Sequence, residues 1–187
     1  MPEDIKSIAD VARRHGIPLY VDGARIFNAS VALETPVEEL VKDADSVSFC
    51  LSKGLSAPIG SLLCGKNEFI DEALRWRKML GGGMRQAGIA AAAGVVALDT
   101  MVDRLADDHS NARKLALGLS QTPGISIDPD SLPTNIVVFQ VTNGDPAELS
   151  HRLSELGIRG GAPGRRWRFV THAGIAREDI DYALDVV

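Results

Sequence analysis

Two short apolar runs constrain the fold more than any other feature of the sequence. Ile17-Pro-Leu-Tyr-Val21 and Ser46-Val-Ser-Phe-Cys-Leu51 are too short for ordinary helices and rich in β-branched and aromatic residues. Each stops abruptly at polar residues and a glycine, the first at Asp22-Gly23 and the second at Ser52-Lys53-Gly54. Between them a helix is expected from Thr35, with Pro36 as its first residue, Glu38 completing a capping box, and Val37, Leu40 and Val41 facing inward. Strand, helix, strand is the rhythm of a βαβ unit, whose strands run parallel and whose crossover is right-handed. A third run, Gly60-Ser-Leu-Leu-Cys64, follows a turn at Pro58 and is expected to join the same parallel sheet.

The flanks read as helices. Residues 3–15 place Ile5, Ile8, Ala9 and Ala12 on one face, with Glu3 and Asp4 in the first turn, Arg13, Arg14 and His15 in the last, and Gly16 as the stop. A helix follows Asn67 and ends at Gly81-Gly82-Gly83; a long Ala-rich helix is expected over 85–107 and another over 110–119. Pro123, Gly124, Pro129 and Pro133 then open a small α+β domain from about residue 122. It holds a strand over 135–141, a helix over 145–156, a strand over 167–171 and a last helix from 176–179. The expectation is an α/β layer of parallel strands over 1–121 and a small α+β domain over 122–187. Three parallel strands leave long apolar edges, so either something pairs with them or the chain is the back part of a larger protein.

Composition removes several classes of function. Asp plus Glu number 25 against 20 Lys plus Arg, a net charge of −5 and the wrong sign for a nucleic-acid binder. The uncharged run Gln86–Leu98 covers 13 residues, short of the ~20 that cross a bilayer. The first residues show no secretory signal, so no membrane partner is expected. Cys50 and Cys64 have no metal-like spacing, so no metal is expected, and they suit a reducing, cytoplasmic setting. Two local patterns are decoys. Gly60-Ser-Leu-Leu-Cys-Gly-Lys-Asn67 imitates a phosphate loop, but its interior reads as strand and Asn67 replaces the metal-binding hydroxyl. The basic cluster Arg159 to Arg168 is a short patch in an acidic chain and reads as a turn or a carboxylate site.

The chemistry is concentrated at the strand ends. In open α/β sheets ligands bind outside the carboxyl ends of the strands, which is where Asp22-Gly-Ala-Arg25 and Ser52-Lys53-Gly54 fall. A lysine among small residues at such a rim can be a Schiff-base nucleophile. A carboxylate across a ring is what pyridoxal phosphate needs, since it keeps the pyridine nitrogen protonated and the ring an electron sink. Taken singly, Asp22 reads as a turn cap and Lys53 as a solvated side chain; the pair, at this spacing, favours the cofactor.

Several segments carry a family resemblance. Tyr20-Val-Asp-Gly-Ala-Arg-Ile-Phe-Asn-Ala29, Ser46–Leu55, Ala57-Pro-Ile-Gly-Ser61, Arg77-Lys-Met-Leu-Gly-Gly-Gly-Met-Arg-Gln-Ala-Gly88 and Arg168-Phe-Val-Thr-His172 are similar to the low-specificity L-threonine aldolases. These are pyridoxal-phosphate enzymes of the aspartate-aminotransferase-like fold, fold type I. The resemblance runs along nearly the whole chain but matches only the C-terminal portion of a family member. It implies that Lys53 bonds the cofactor aldehyde, Asp22 pairs with the ring nitrogen, and Ala24 packs under the ring. Arg25 would lie by the cofactor's phenolic oxygen and the substrate carboxylate, and Arg168 would clamp that carboxylate, a task suited to a planar bidentate donor. Arg85, with Lys78, would lie near the phosphate, reaching across a subunit interface of a homo-oligomer.

The implied activity is lyase chemistry in amino-acid metabolism, in which threonine and other β-hydroxy-α-amino acids are cleaved to glycine and an aldehyde. Rivals are another fold type I enzyme, a β-eliminating lyase or a racemase, and a truncated, non-catalytic fragment. In the family the phosphate-binding loop, the ring-stacking residue and the histidine assisting proton removal come from the preceding half. The chain alone is therefore expected to bind cofactor poorly and to cleave threonine slowly or not at all. His15, His109, His151 and His172 are read as structural or solvated, and Gly160–Gly164 is looser than the corresponding family segment.

Overall fold

The computed structural model describes residues 2–160 and 164–187, so Gly161, Ala162 and Pro163, within the glycine segment 160–164, lie outside the described residues. The chain forms two compact units that divide between Asp103 and Arg104.

In the first unit, helix α1 (Pro2–Arg14) has acidic residues in its first turn and Arg13 and Arg14 in its last, charges that complement the helix dipole. Strand β1 (Tyr20–Asp22), helices α2 (Ile26–Leu33) and α3 (Val37–Val41) and strand β2 (Ser46–Cys50) follow. β1 and β2 pair in parallel, Tyr20 opposite Ser46 and Asp22 opposite Ser48, so the expected βαβ unit is present. Its crossover holds a helix the sequence reading passed over. Ile26-Phe-Asn-Ala-Ser-Val-Ala-Leu33 is apolar nearly all round and shows no one-sided stripe. The capping box expected at Thr35 does not form: the Thr35 hydroxyl donates to Leu33 O at 2.9 Å, and Pro36 precedes α3 without a side-chain cap.

Strand β3 (Ser61–Gly65) pairs antiparallel with β2, Val47 opposite Cys64, so the sheet β1-β2-β3 is mixed, not wholly parallel. The reason is the connection. A parallel return needs a crossover of about a dozen residues or more, usually a helix. Here residues 51–60 close on themselves, Leu51 N donating to Gly60 O at 2.9 Å and Ala57 N to Leu51 O at 3.0 Å, and the chain turns straight back. Helix α4 (Asn67–Met79) and helix α5 (Gly88–Thr100) complete the unit. The single long helix expected over 85–107 is interrupted after Thr100, at a place marked by neither Gly nor Pro.

The second unit begins with helix α6 (Leu105–Leu119), which lies before the boundary expected near residue 121 and packs against strand β5 (Ile136–Val141) and helix α8 (Arg177–Val186). Strand β4 (Ile125–Ser126), β5 and β6 (Arg166–Val170) form an antiparallel sheet in the order β4-β5-β6, and helix α7 (Pro146–Glu155) joins β5 to β6. Alternation along the strands builds the core. Val137, Phe139, Val141, Trp167 and Phe169 point inward among Leu115, Leu119, Leu153 and Ile180. The ring centroids of Phe139, Trp167 and Phe169 lie 5.2–6.2 Å apart, contacts worth ~0.5–1.5 kcal/mol each beyond area burial.

Candidate active site

Parallel pairing brings the carboxyl ends of β1 and β2 to one edge of the first unit's sheet. Asp22 is the last residue of β1, and Lys53 stands three positions beyond the last residue of β2, so both emerge at that edge. Both side chains are exposed. The Asp22 carboxylate also does the local work of a turn cap, Oδ1 accepting the Ala24 N–H at 3.1 Å. Gly23 then donates its N–H to Ser48 O at 2.8 Å, tying the exit of β1 to β2. A Cβ at this glycine would stand 2.9 Å from that same carbonyl oxygen, too close for any side chain.

Arg25 begins α2 as its N-cap residue and is half-buried. Its Nε is buried with no hydrogen-bond partner, an uncompensated donor of the kind that calls for an explanation. Ala24, also half-buried, lies between it and Asp22. A T-shaped contact between Phe27 and Phe49, centroids 5.3 Å apart, holds α2 against β2. Lys53 rides on a well-anchored turn: Leu51, Gly54, Leu55 and Ala57 are buried, Ser56 N donates to Lys53 O at 2.9 Å, and the amine is left outside.

The remaining expected residues are placed individually. Lys78 is in the last turn of α4, and Arg85 is exposed in the connection between α4 and α5. Arg168 belongs to the second unit, where it is exposed on the open face of β6 opposite Val138. His172 Nδ1 accepts the Gly174 N–H at 3.1 Å, a turn-forming role, and burial pushes the His109 imidazole below the ordinary histidine range. His151 is exposed on α7 beside Glu155. Among the described residues no group of three His, Cys, Asp or Glu side chains is arranged to hold a metal, and no helix is long and apolar enough to cross a membrane. Sequence reading missed Gly23 and Ser48 as the stitch between the strands. The signal available for it was a glycine directly after a strand-ending aspartate.

These residues fit a cofactor bearing an aldehyde and a ring nitrogen. An amine and a carboxylate share one rim, a methyl-sized residue follows the carboxylate, and an arginine beside it has an unfilled donor.

The family described as Beta-eliminating lyase matches residues 1–142. The chain belongs to the β-eliminating lyase family. It is 44% identical over 188 residues to low-specificity L-threonine aldolase 1 of Arabidopsis thaliana, covering 97% of this chain and 52% of that protein. It is 41% identical over 178 residues to the low specificity L-threonine aldolase of Escherichia coli strain K12, covering 95% and 52%. The chain thus spans about half the length of the curated relatives it matches. Among solved structures, a candidate L-allo-threonine aldolase from Listeria monocytogenes superposes with a TM-score of 0.83 at 20% identity, over 98% of this chain and 55% of that one. An archaeal O-phosphoseryl-tRNA(Sec) selenium transferase superposes with a TM-score of 0.68 at 22% identity, over 97% and 46%. The fold of this β-eliminating lyase family member is accordingly that of the fold type I enzymes, represented in part.

Proposed function

We propose that this chain carries the lysine-bearing portion of a pyridoxal-phosphate-dependent carbon–carbon lyase that cleaves threonine and related β-hydroxy-α-amino acids to glycine and an aldehyde. The observation that carries the reading is the emergence of Asp22 and Lys53 at the same edge of a parallel strand pair. The relatives named as threonine aldolases support the choice of substrate.

When bound, pyridoxal phosphate supplies an electron-poor ring that stabilises negative charge at the substrate's α-carbon. The chain's own residues do the rest. Lys53 offers a primary amine as nucleophile toward the aldehyde and as a proton carrier at Nζ. Asp22 would hold a proton on the ring nitrogen, a fixed charge facing developing charge. Arg25, whose Nε has no partner, would donate to the oxygen substituent of the ring or to the substrate carboxylate. Arg168 grips the substrate carboxylate with a planar fork, and Arg85 and Lys78 contribute positive charge toward the phosphate.

We further propose a cytoplasmic homo-oligomer without nucleic-acid partners. Free Cys50 and Cys64 suit a reducing compartment. Met79, Leu80 and Ile89, near the connection between α4 and α5, are each exposed apolar side chains of the kind a subunit contact would cover. The test is spectroscopic and chemical. Added pyridoxal phosphate is expected to produce visible absorption that threonine or glycine alters and that Lys53→Arg abolishes. Absorption unchanged by that substitution would defeat the reading. Aldehyde released from threonine selects the aldolase; ammonia released instead, with an oxo acid as product, selects the β-eliminating alternative.

A further inference from the structure

Two residues of the second unit bridge a pair of fixed points. Thr142 N donates to Gly124 O at 2.8 Å, tying the end of β5 to the residue before β4. Asp145 Oδ1 accepts the Ala147 N–H at 2.9 Å and so caps α7. Asn143 and Gly144 cross the gap between these anchors, belong to neither element and are both exposed. Gly144 has φ +75°, the left-handed region that glycine enters without steric strain. Its N–H donates to Asn143 Oδ1 at 2.9 Å.

That bond sets a main-chain nitrogen against the side-chain amide of the residue before it. Attack of Gly144 N on Asn143 Cγ would close a five-membered ring, and the turn favours the attack in three ways. The nitrogen is committed neither to the β5 ladder nor to α7. Its approach is open, since nothing lies within 4 Å of the position a Cβ of Gly144 would take. The side-chain amide is already held beside it. The other asparagines lack this combination. Asn28, Asn111 and Asn135 are buried, Asn67 opens α4 with Glu68 behind it, and Asn143 is the only asparagine of the sequence followed by glycine.

We propose that Asn143-Gly144 is a self-modification site, at which the folded chain converts asparagine to aspartate and isoaspartate without an enzyme. The Gly144 N–Cγ bond forms as that nitrogen gives up its proton; the Cγ–Nδ2 bond breaks, and ammonia leaves carrying the proton. Water then opens the cyclic imide. Opening at the Cγ carbonyl gives aspartate, and opening at the main-chain carbonyl gives isoaspartate. No electrons are exchanged with any partner. Either product adds one negative charge to a chain of net charge −5, on a cleft also lined by Asp145, Glu148 and Arg152. Isoaspartate also lengthens the main chain by one carbon just ahead of the α7 cap. The proposal stands apart from the reading of Lys53 and its cofactor.

The test incubates the full chain in heavy-oxygen water, at the most alkaline pH at which circular dichroism shows the fold intact. Acidic species are separated by ion exchange and mapped by mass spectrometry, in wild type, Gly144→Ala and Asn143→Gln. Wild type is expected to accumulate an acidic species modified at residue 143, roughly tenfold faster than at Asn28, Asn67, Asn111 or Asn135. The modified peptide should separate into aspartate and isoaspartate forms, each with a solvent oxygen in the new carboxylate. Gly144→Ala is expected to slow the change about tenfold, because a Cβ shields the attacking nitrogen. Asn143→Gln, whose longer side chain would need a larger ring, is expected to lose the species. Residue 143 intact in the folded chain, or modified no faster than Asn67, overturns the proposal. So does a wild-type rate in Gly144→Ala, or aspartate formed with no isoaspartate. If neither variant folds, the comparison among the wild-type asparagines and the presence of isoaspartate decide it.

Discussion

Substituting Gly23 by alanine strikes the joint between fold and site. The added Cβ would meet Ser48 O at 2.9 Å, Val47 Cγ2 at 3.1 Å and Ile26 Cβ at 3.2 Å. Ser48 O is main chain within β2 and cannot rotate aside, so the exit of β1 must move, stretching the 2.8 Å bond from Gly23 N to Ser48 O and shifting Asp22 from its place beside β2. Overpacking costs about 1–3 kcal/mol and a weakened hydrogen bond about 0.5–1.5 kcal/mol. Reduced freedom of the unfolded chain offsets about 0.4–1 kcal/mol. The net expectation is a loss of about 2 kcal/mol at the β1–β2 joint, or roughly 30-fold faster exchange of protected amides there. Hydrogen exchange of peptides spanning 19–23 and 46–50 reads this directly. Gly88→Ala is the control, since nothing lies within 4 Å of its Cβ position at the start of α5; its exchange should match wild type. Gly23→Ala exchanging within twofold of wild type would refute the packing argument.

Other expectations follow from the same contacts. Trp167→Ala removes a 1%-exposed side chain from the second unit's core and should cost about 3–5 kcal/mol, read as a fall in that unit's thermal midpoint. The Arg13 guanidinium, 2.8 Å from Asp43, holds that carboxyl below its usual range. The stabilisation is therefore present above the ordinary carboxylate value and is lost as pH falls through the lower, folded value. NMR titration should find the Asp43 midpoint depressed in wild type and restored in Arg13→Gln.

Much of the first unit was legible because short strands advertise themselves. Tyr20–Asp22 and Ser46–Cys50 are β-branched or aromatic runs cut off by polar residues, and the rule that ligands gather at carboxyl ends singled out Asp22 and Lys53. The direction of β3 was not legible, since its five residues read alike in either sense. What decides it is the hydrogen-bonded closure of residues 51–60, a tertiary fact. Helix α2 escaped because periodicity needs a polar face for contrast. The interruption between α5 and α6 escaped because no glycine or proline marks it. The unpaired Arg25 Nε and the buried hydrogen bond from Asn135 Nδ2 to Thr171 O depend on burial, which one sequence does not display.

Reductive trapping tests the central claim most directly. The chain is incubated with excess pyridoxal phosphate, reduced with borohydride, digested and mapped by mass spectrometry. The account predicts pyridoxyl label on Lys53 well above Lys6, Lys42, Lys66, Lys78 and Lys114, and a lower yield at Lys53 in Asp22→Asn. Label spread evenly over those lysines, or absent from Lys53, would contradict it.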